Sequence, residues 1–133
     1  MSLDVHTILV VEDEQQLLYL LKEMLEGEGY RVLTATDGDQ AIELYRRENG
    51  RISLVLSDMG LPSVGGWEVL QQLKAIDPQV KVILSSGFMD TKVRQDMIKS
   101  GARDFIQKPY TPDKVIQQVR DSIFSGDRNQ EGS

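Results

Sequence analysis

Five short apolar runs alternate with five segments of helical spacing. The runs are Thr7–Val11 (TILVV), Tyr30–Ala35 (YRVLTA), Ile52–Ser57 (ISLVLS), Val80–Leu84 (VKVIL) and Asp104–Ile106 (DFI), the last the weakest. Between them, Leu17, Leu18, Leu21, Met24 and Leu25 form a wide apolar stripe that stops at Gly27 and Gly29. Ala41, Ile42 and Tyr45 form a second stripe. Val69, Leu70, Leu73 and Ile76 form a third, closed by Asp77-Pro78 because the residue before a proline resists the helical region. Val93, Met97 and Ile98 form a fourth, ending at Gly101; Val115, Ile116, Val119 and Ile123 form a fifth. Thr111 is placed to cap that last helix, with Pro112 at its first position.

Strands that alternate with helices predict a parallel sheet with helical crossovers. The first and third runs are almost unbroken apolar stretches, as central strands covered on both faces should be. Right-handed crossovers leave few topologies, and a doubly wound five-stranded sheet of order 2-1-3-4-5 between five helices is the one expected. The domain is expected to span 6–125. Residues 1–5 and 126–133 read as flexible ends or cloning remnants, since GDRNQEGS is polar and aperiodic.

Composition narrows the chemistry. The chain has 133 residues, 40% of them apolar, enough for one core without a disulfide or metal staple. It has no cysteine, which excludes thiol catalysis and Cys-bound zinc and fits a reducing, cytoplasmic setting. A net charge of −6 argues against nucleic acid as a partner of this domain. No stretch approaches the length of a membrane span, so no membrane contact is expected.

Ligands of such a sheet bind beyond the carboxyl ends of its strands, at the switch point between strands one and three. Glu12, Asp13 and Glu14 follow strand one, Asp58 follows strand three, Ser85-Ser86-Gly87 follow strand four, and Lys108-Pro109 follow strand five. An aspartate that ends a buried strand is out of place unless it serves a site. Clustered carboxylates repel and call for a hard cation with oxygen ligands, of which Mg²⁺ is the commonest kind. A metal, a lysine and a hydroxyl around one carboxylate suit a phosphoryl group, with the carboxylate as nucleophile.

The stretches ILVVEDE (Ile8–Glu14), LVLSDMGLPSVGG (Leu54–Gly66), VILSSG (Val82–Gly87) and DFIQKPY (Asp104–Tyr110) carry a resemblance. Together they resemble the receiver domain of two-component response regulators, from about His6 to Phe124. The resemblance implies a flavodoxin-like three-layer sandwich and a phosphoryl-accepting switch, not an enzyme, although such a domain assists its own phosphorylation and dephosphorylation. It implies Asp58 as phosphoacceptor. Mg²⁺ or Mn²⁺ would be held by Glu12, Asp13, Asp58 and the backbone carbonyl of Gly60, with Glu12 acting through water. Ser86 and Lys108 would serve the phosphoryl group, and the Lys108–Pro109 bond would be cis. Ser86 and Phe105 would be the switch residues. Partners would be a sensor histidine kinase or phosphotransfer protein, and a homodimer would form through helix 4, strand 5 and helix 5. The style of the DMGLPSVGGWEVL stretch suggests a receiver attached to a hybrid sensor histidine kinase. Gly60 and Phe88 stand where the family tunes water attack on the phosphoaspartate, and neither offers a polar side chain. His6 reads as a surface residue and Trp67 as packing near the third helix.

Other classes fit less well. A haloacid-dehalogenase-like phosphatase needs Asp-x-Asp after strand one, where this chain has Asp13-Glu14-Gln15. A flavin-binding flavodoxin needs a hydroxyl- and glycine-rich loop there, not three acids. The remaining alternative is a receiver-like interaction domain that is never phosphorylated.

Overall fold

The computed structural model describes residues 5–61, 64–87 and 90–124. The order of elements is β1 (Thr7–Val11), α1 (Gln15–Gly27), β2 (Arg31–Ala35), α2 (Gly38–Glu48), β3 (Ile52–Asp58), α3 (Gly66–Ile76), β4 (Val82–Ser86), α4 (Thr91–Lys99), β5 (Asp104–Gln107) and α5 (Pro112–Phe124). All pairings are parallel and the strand order is β2-β1-β3-β4-β5, as expected.

Side-chain alternation along these strands divides the core in two. Leu9, Val11, Val55, Val82 and Leu84 face Leu70 and Leu73 of α3 and Met97 of α4. Ile8, Val10, Leu54, Leu56, Ile83 and Ile106 face Leu21 and Leu25 of α1 and Val115 and Val119 of α5. Every residue of β1 is buried, which explains its unbroken apolar run.

The helix boundaries follow local chemistry. Asp37 Oδ1 accepts from the Gln40 N–H at 2.8 Å and opens α2. Asp90 Oδ1 accepts from the Val93 N–H at 2.8 Å and opens α4. Thr111 Oγ1 accepts from the Lys114 N–H at 3.3 Å, the cap expected for α5. After α1, Gly29 takes a φ of +98°, which a residue with a Cβ rarely adopts.

Three expectations need correction. The fourth strand starts two residues later than its apolar pattern suggests and runs on through Ser86. Val80 is buried but belongs to a turn, its N–H donating to the Asp77 carbonyl at 3.0 Å. Asp58 is the last residue of β3 and not the first after it. His6 is half-buried: Nδ1 lies 2.9 Å from Ser53 Oγ, and its ring meets Phe124 edge-on at 4.9 Å. Ser53 is the residue skipped where the β1–β3 register shifts between Thr7 and Ile8. Trp67 packs against the α2–α3–α4 side of the core at the start of α3, as expected.

Below the sheet, the buried Tyr45 hydroxyl donates to Asp77 Oδ2 at 2.8 Å, tying α2 to the end of α3. Burial, reinforced by that bond to Asp77, pushes the phenol well above its usual pKa. The unfolded chain therefore loses the phenolic proton first. Stability from this group is complete below about pH 10 and declines as pH rises beyond it. Tyr45→Phe should cost about 1 kcal/mol at pH 7, and its stability should fall less steeply above pH 10 than that of the unsubstituted chain. Urea unfolding at both pH values measures this; an equal alkaline loss in the variant would rule Tyr45 out as its source.

Candidate phosphoryl and metal site

The parallel register brings the carboxyl ends of β1, β3, β4 and β5 to one edge. Glu12 and Asp13 leave β1 there, and the Glu12 N–H donates across to the Ala35 carbonyl at 3.0 Å. Asp58 ends β3 opposite Ser85 of β4. The Met59 N–H donates to the Ser85 carbonyl at 2.9 Å, and the Lys108 N–H to the Ser86 carbonyl at 2.8 Å. The segments that follow β3 and β5 are thus stitched to the end of β4 through backbone atoms.

The β3–α3 loop turns back sharply. A Cβ on Gly66 would sit 2.6 Å from Met59 Cα, so only glycine lets α3 begin this close to the end of β3. At Gly60 there is room: a Cβ would lie 3.8 Å from Asp58 Oδ2.

Carboxylate oxygens of Glu12, Asp13 and Asp58 lie within 4.8 Å of one another. Lys108 Nζ sits among them, 3.1 Å from Glu12 Oε1 and 3.4 Å from Asp58 Oδ1. Glu12 Oε2 accepts from the Glu14 N–H at 3.1 Å, so both oxygens of this buried side chain are engaged. Burial pushes the Glu12 carboxyl above its usual pKa, partly offset by the Glu14 N–H and by Lys108. Burial also works against the Lys108 ammonium, but Glu12 and then Asp58 outweigh it and hold its pKa above the ordinary value. Three carboxylates and one ammonium sum to a formal charge of −3 + 1 = −2. Oxygen donors with that excess fit a hard divalent cation such as Mg²⁺.

Of the residues expected to form a site, Glu12, Asp13, Asp58 and Lys108 are brought together. Gly60 lies beside the Asp58 carboxylate. Alternation along β4 puts Ser86 on the face of Leu84, which pairs with Phe105, while Ser85 is buried on the face of Ile83. Phe88 lies outside the described residues. The Lys108–Pro109 bond is cis, as expected. Two features escaped the sequence reading. Glu12 is the nearer partner of Lys108, at 96 residues' separation, and only the fold reveals it. Tyr110 packs beside the α1–α5 core, and burial together with the charges of Glu12, Asp58 and Glu14 pushes its phenol well up. Its place two residues after Lys108 was the available signal.

Residues 8–120 match the response regulator receiver domain family. The chain belongs to that family. It is 32% identical over 119 residues to the chemotaxis protein CheY of Bacillus subtilis (strain 168), covering 89% of this chain and 98% of the relative. It is 33% identical over 116 residues to sporulation initiation phosphotransferase F of the same organism, covering 87% and 89%. A chain of the CheX-CheY-BeF3-Mg+2 complex from Borrelia burgdorferi is similar at a TM-score of 0.82 and 29% identity, over 86% of each chain. As a receiver, this chain is a phosphoacceptor switch domain of the two-component type. No helix of its described residues is long and apolar enough to cross a membrane.

Proposed function

We propose that Asp58 is the phosphoacceptor of this receiver and takes its phosphoryl group from the phosphohistidine of a sensor kinase or phosphotransfer protein. An Asp58 carboxylate oxygen attacks phosphorus, an O–P bond forms, the N–P bond breaks, and the histidine imidazole leaves. The observation that carries this reading is Lys108 Nζ at 3.4 Å from Asp58 Oδ1, inside a cluster of three carboxylates at the end of the sheet. The ammonium is placed to neutralise a phosphoryl oxygen on Asp58 as charge builds there. Ser86, at the end of β4, supplies the hydroxyl to the same group.

Asp13, Asp58 and the Gly60 carbonyl would hold Mg²⁺ directly, and Glu12, already engaged by Lys108 and the Glu14 N–H, through water. The bound ion supplies positive charge against the phosphoryl oxygens. Readout falls to the face of α4, β5 and α5. There Thr91, Arg94, Ile98, Lys99 and Phe105 line a groove of about 600 Å³ open to a downstream protein or a second copy.

Intact mass after incubation with Mg²⁺ and acetyl phosphate tests the proposal. A gain of about 80 Da, one phosphoryl group, is expected, and it should vanish with EDTA. No gain from either acetyl phosphate or a phosphorylated kinase would favour the nonphosphorylated interaction domain.

Gly60 gives a second expectation. Because a Cβ there sits 3.8 Å from Asp58 Oδ2 without a clash, Gly60→Asn would bring an amide to the acceptor. The amide can orient an attacking water, so loss of the phosphoryl group should change by about tenfold or less. An unchanged decay rate, followed by mass or radiolabel, would remove Gly60 from the control of lifetime.

A further inference from the structure

Phe105 is held at three points by side chains. Its N–H donates to Asp104 Oδ1 at 2.8 Å. Its carbonyl accepts from Gln118 Nε2 of α5 at 2.9 Å, and the same nitrogen donates to Asp104 Oδ2 at 3.0 Å. Its ring lies beneath the Arg94 guanidinium of α4, 4.2 Å from the centroid. β5 is the edge of the sheet, so no further strand supports it.

Gln118 Oε1 is the one buried side-chain polar atom without a hydrogen-bond partner among the described residues. A buried amide oxygen left unpaired is unfavourable, and an apolar side chain of the same shape would avoid it. What glutamine offers here is its NH₂ group, which grips Asp104 and Phe105 together. Phe105 is therefore the point where α4 and α5 both hold the edge strand, one by the ring and the other by the main chain.

We propose that Arg94 and Gln118 are positioning residues that hold Phe105 in this conformation and so set the threshold for switching. This rests on the reading of Asp58 as phosphoacceptor. A ligand shifts a two-state equilibrium only by its differential affinity, and the effect is reciprocal. Weakening the hold on Phe105 lowers the free energy needed to leave this conformation. A phosphoryl mimic at Asp58 that favours the moved ring then binds more tightly.

The test uses the full chain, with beryllofluoride titrated at fixed Mg²⁺ and Mg²⁺ titrated alone, both read by the fluorescence of the single tryptophan, Trp67. Gln118→Met, which removes two hydrogen bonds, and Arg94→Met, which removes one cation–π contact, should each bind beryllofluoride at least about two- to fivefold more tightly. Their Mg²⁺ affinity should be unchanged. Gln118→Lys, which keeps donors and discards the orphan oxygen, should return the affinity to that of the unsubstituted chain. Equal or weaker beryllofluoride binding in both Met variants overturns the proposal, even if their melting temperatures fall. So does a Mg²⁺ affinity that moves by the same factor, which would place the effect in the acidic pocket. If the unsubstituted chain itself takes up no beryllofluoride while binding Mg²⁺, the phosphoacceptor reading fails, and this proposal with it.

Discussion

Asp58→Asn is expected to abolish phosphoryl uptake and, at the same time, to stabilise the fold. The two effects have one cause. Asparagine lacks the anionic oxygen that must attack phosphorus, so the mass gain with acetyl phosphate and Mg²⁺ should disappear completely. The substitution also removes one of three carboxylates that share oxygens within 4.8 Å, while Lys108 keeps its closer contact to Glu12 at 3.1 Å. Relief of that repulsion should raise stability by about 1 kcal/mol in the absence of divalent ions. The gain should shrink when Mg²⁺ is added, because a ligand that binds only the folded chain stabilises the unsubstituted protein more. Intact mass and thermal melting with and without Mg²⁺ read both effects. A variant that still gains one phosphoryl group would move the acceptor elsewhere, with Asp13 the first place to look.

Lys108→Met should do the reverse to stability and nearly as much harm to function. Without the ammonium, Glu12 remains 2% exposed with its charge opposed only by one N–H donor, the Glu14 amide. Leaving one member of a buried pair behind is costly, and about 2–3 kcal/mol is expected at neutral pH. Losing the fixed charge beside Asp58 should slow phosphorylation by about a hundredfold, the usual size of one such contribution. Adding Glu12→Gln separates the two roles. The double variant should recover most of the lost stability, since the most deeply buried of the carboxylates that Lys108 served is gone, but phosphorylation should stay slow. If Lys108→Met melts like the unsubstituted chain, the ion pair with Glu12 contributes nothing to the fold.

Both substitutions act on groups that the sequence made visible, for a physical reason. A polar residue at the carboxyl end of a buried strand has no solvent-facing role, so Asp58 and Glu12 stood out by position, and Lys108 by standing before Pro109 after the last strand. The element order was equally legible, because periods of two and of 3.6 residues are distinct. The β4 boundary was less so. Val80 is apolar and buried, which mimics a strand residue, whereas Ser85 and Ser86 are polar and read as loop. Burial in a turn and polarity at a strand end both break the link between hydropathy and extended structure. Arg94 and Gln118 were not legible at all. Each occupies a helix as an ordinary polar residue, and each takes its meaning from Phe105, reached only through the packing of α4 and α5 on β5. Likewise, the sequence pointed to Glu12 as a metal ligand, and only the fold added Lys108 beside it.

The strands also differ in how firmly they are held. All five residues of β1 are buried between two neighbours, while β5 has four residues, one neighbour, and a single buried side chain, Ile106. Local opening costs least where apolar burial is sparse and one flank is free. The molecule is thus stiffer at β1, which leads into Glu12 and Asp13, than at β5, which leads into Lys108. The acidic pocket needs fixed geometry to bind an ion, and the opposite margin needs slack to report it. One sheet supplies both, because β1 lies inside it, flanked by β2 and β3, and β5 lies at its rim.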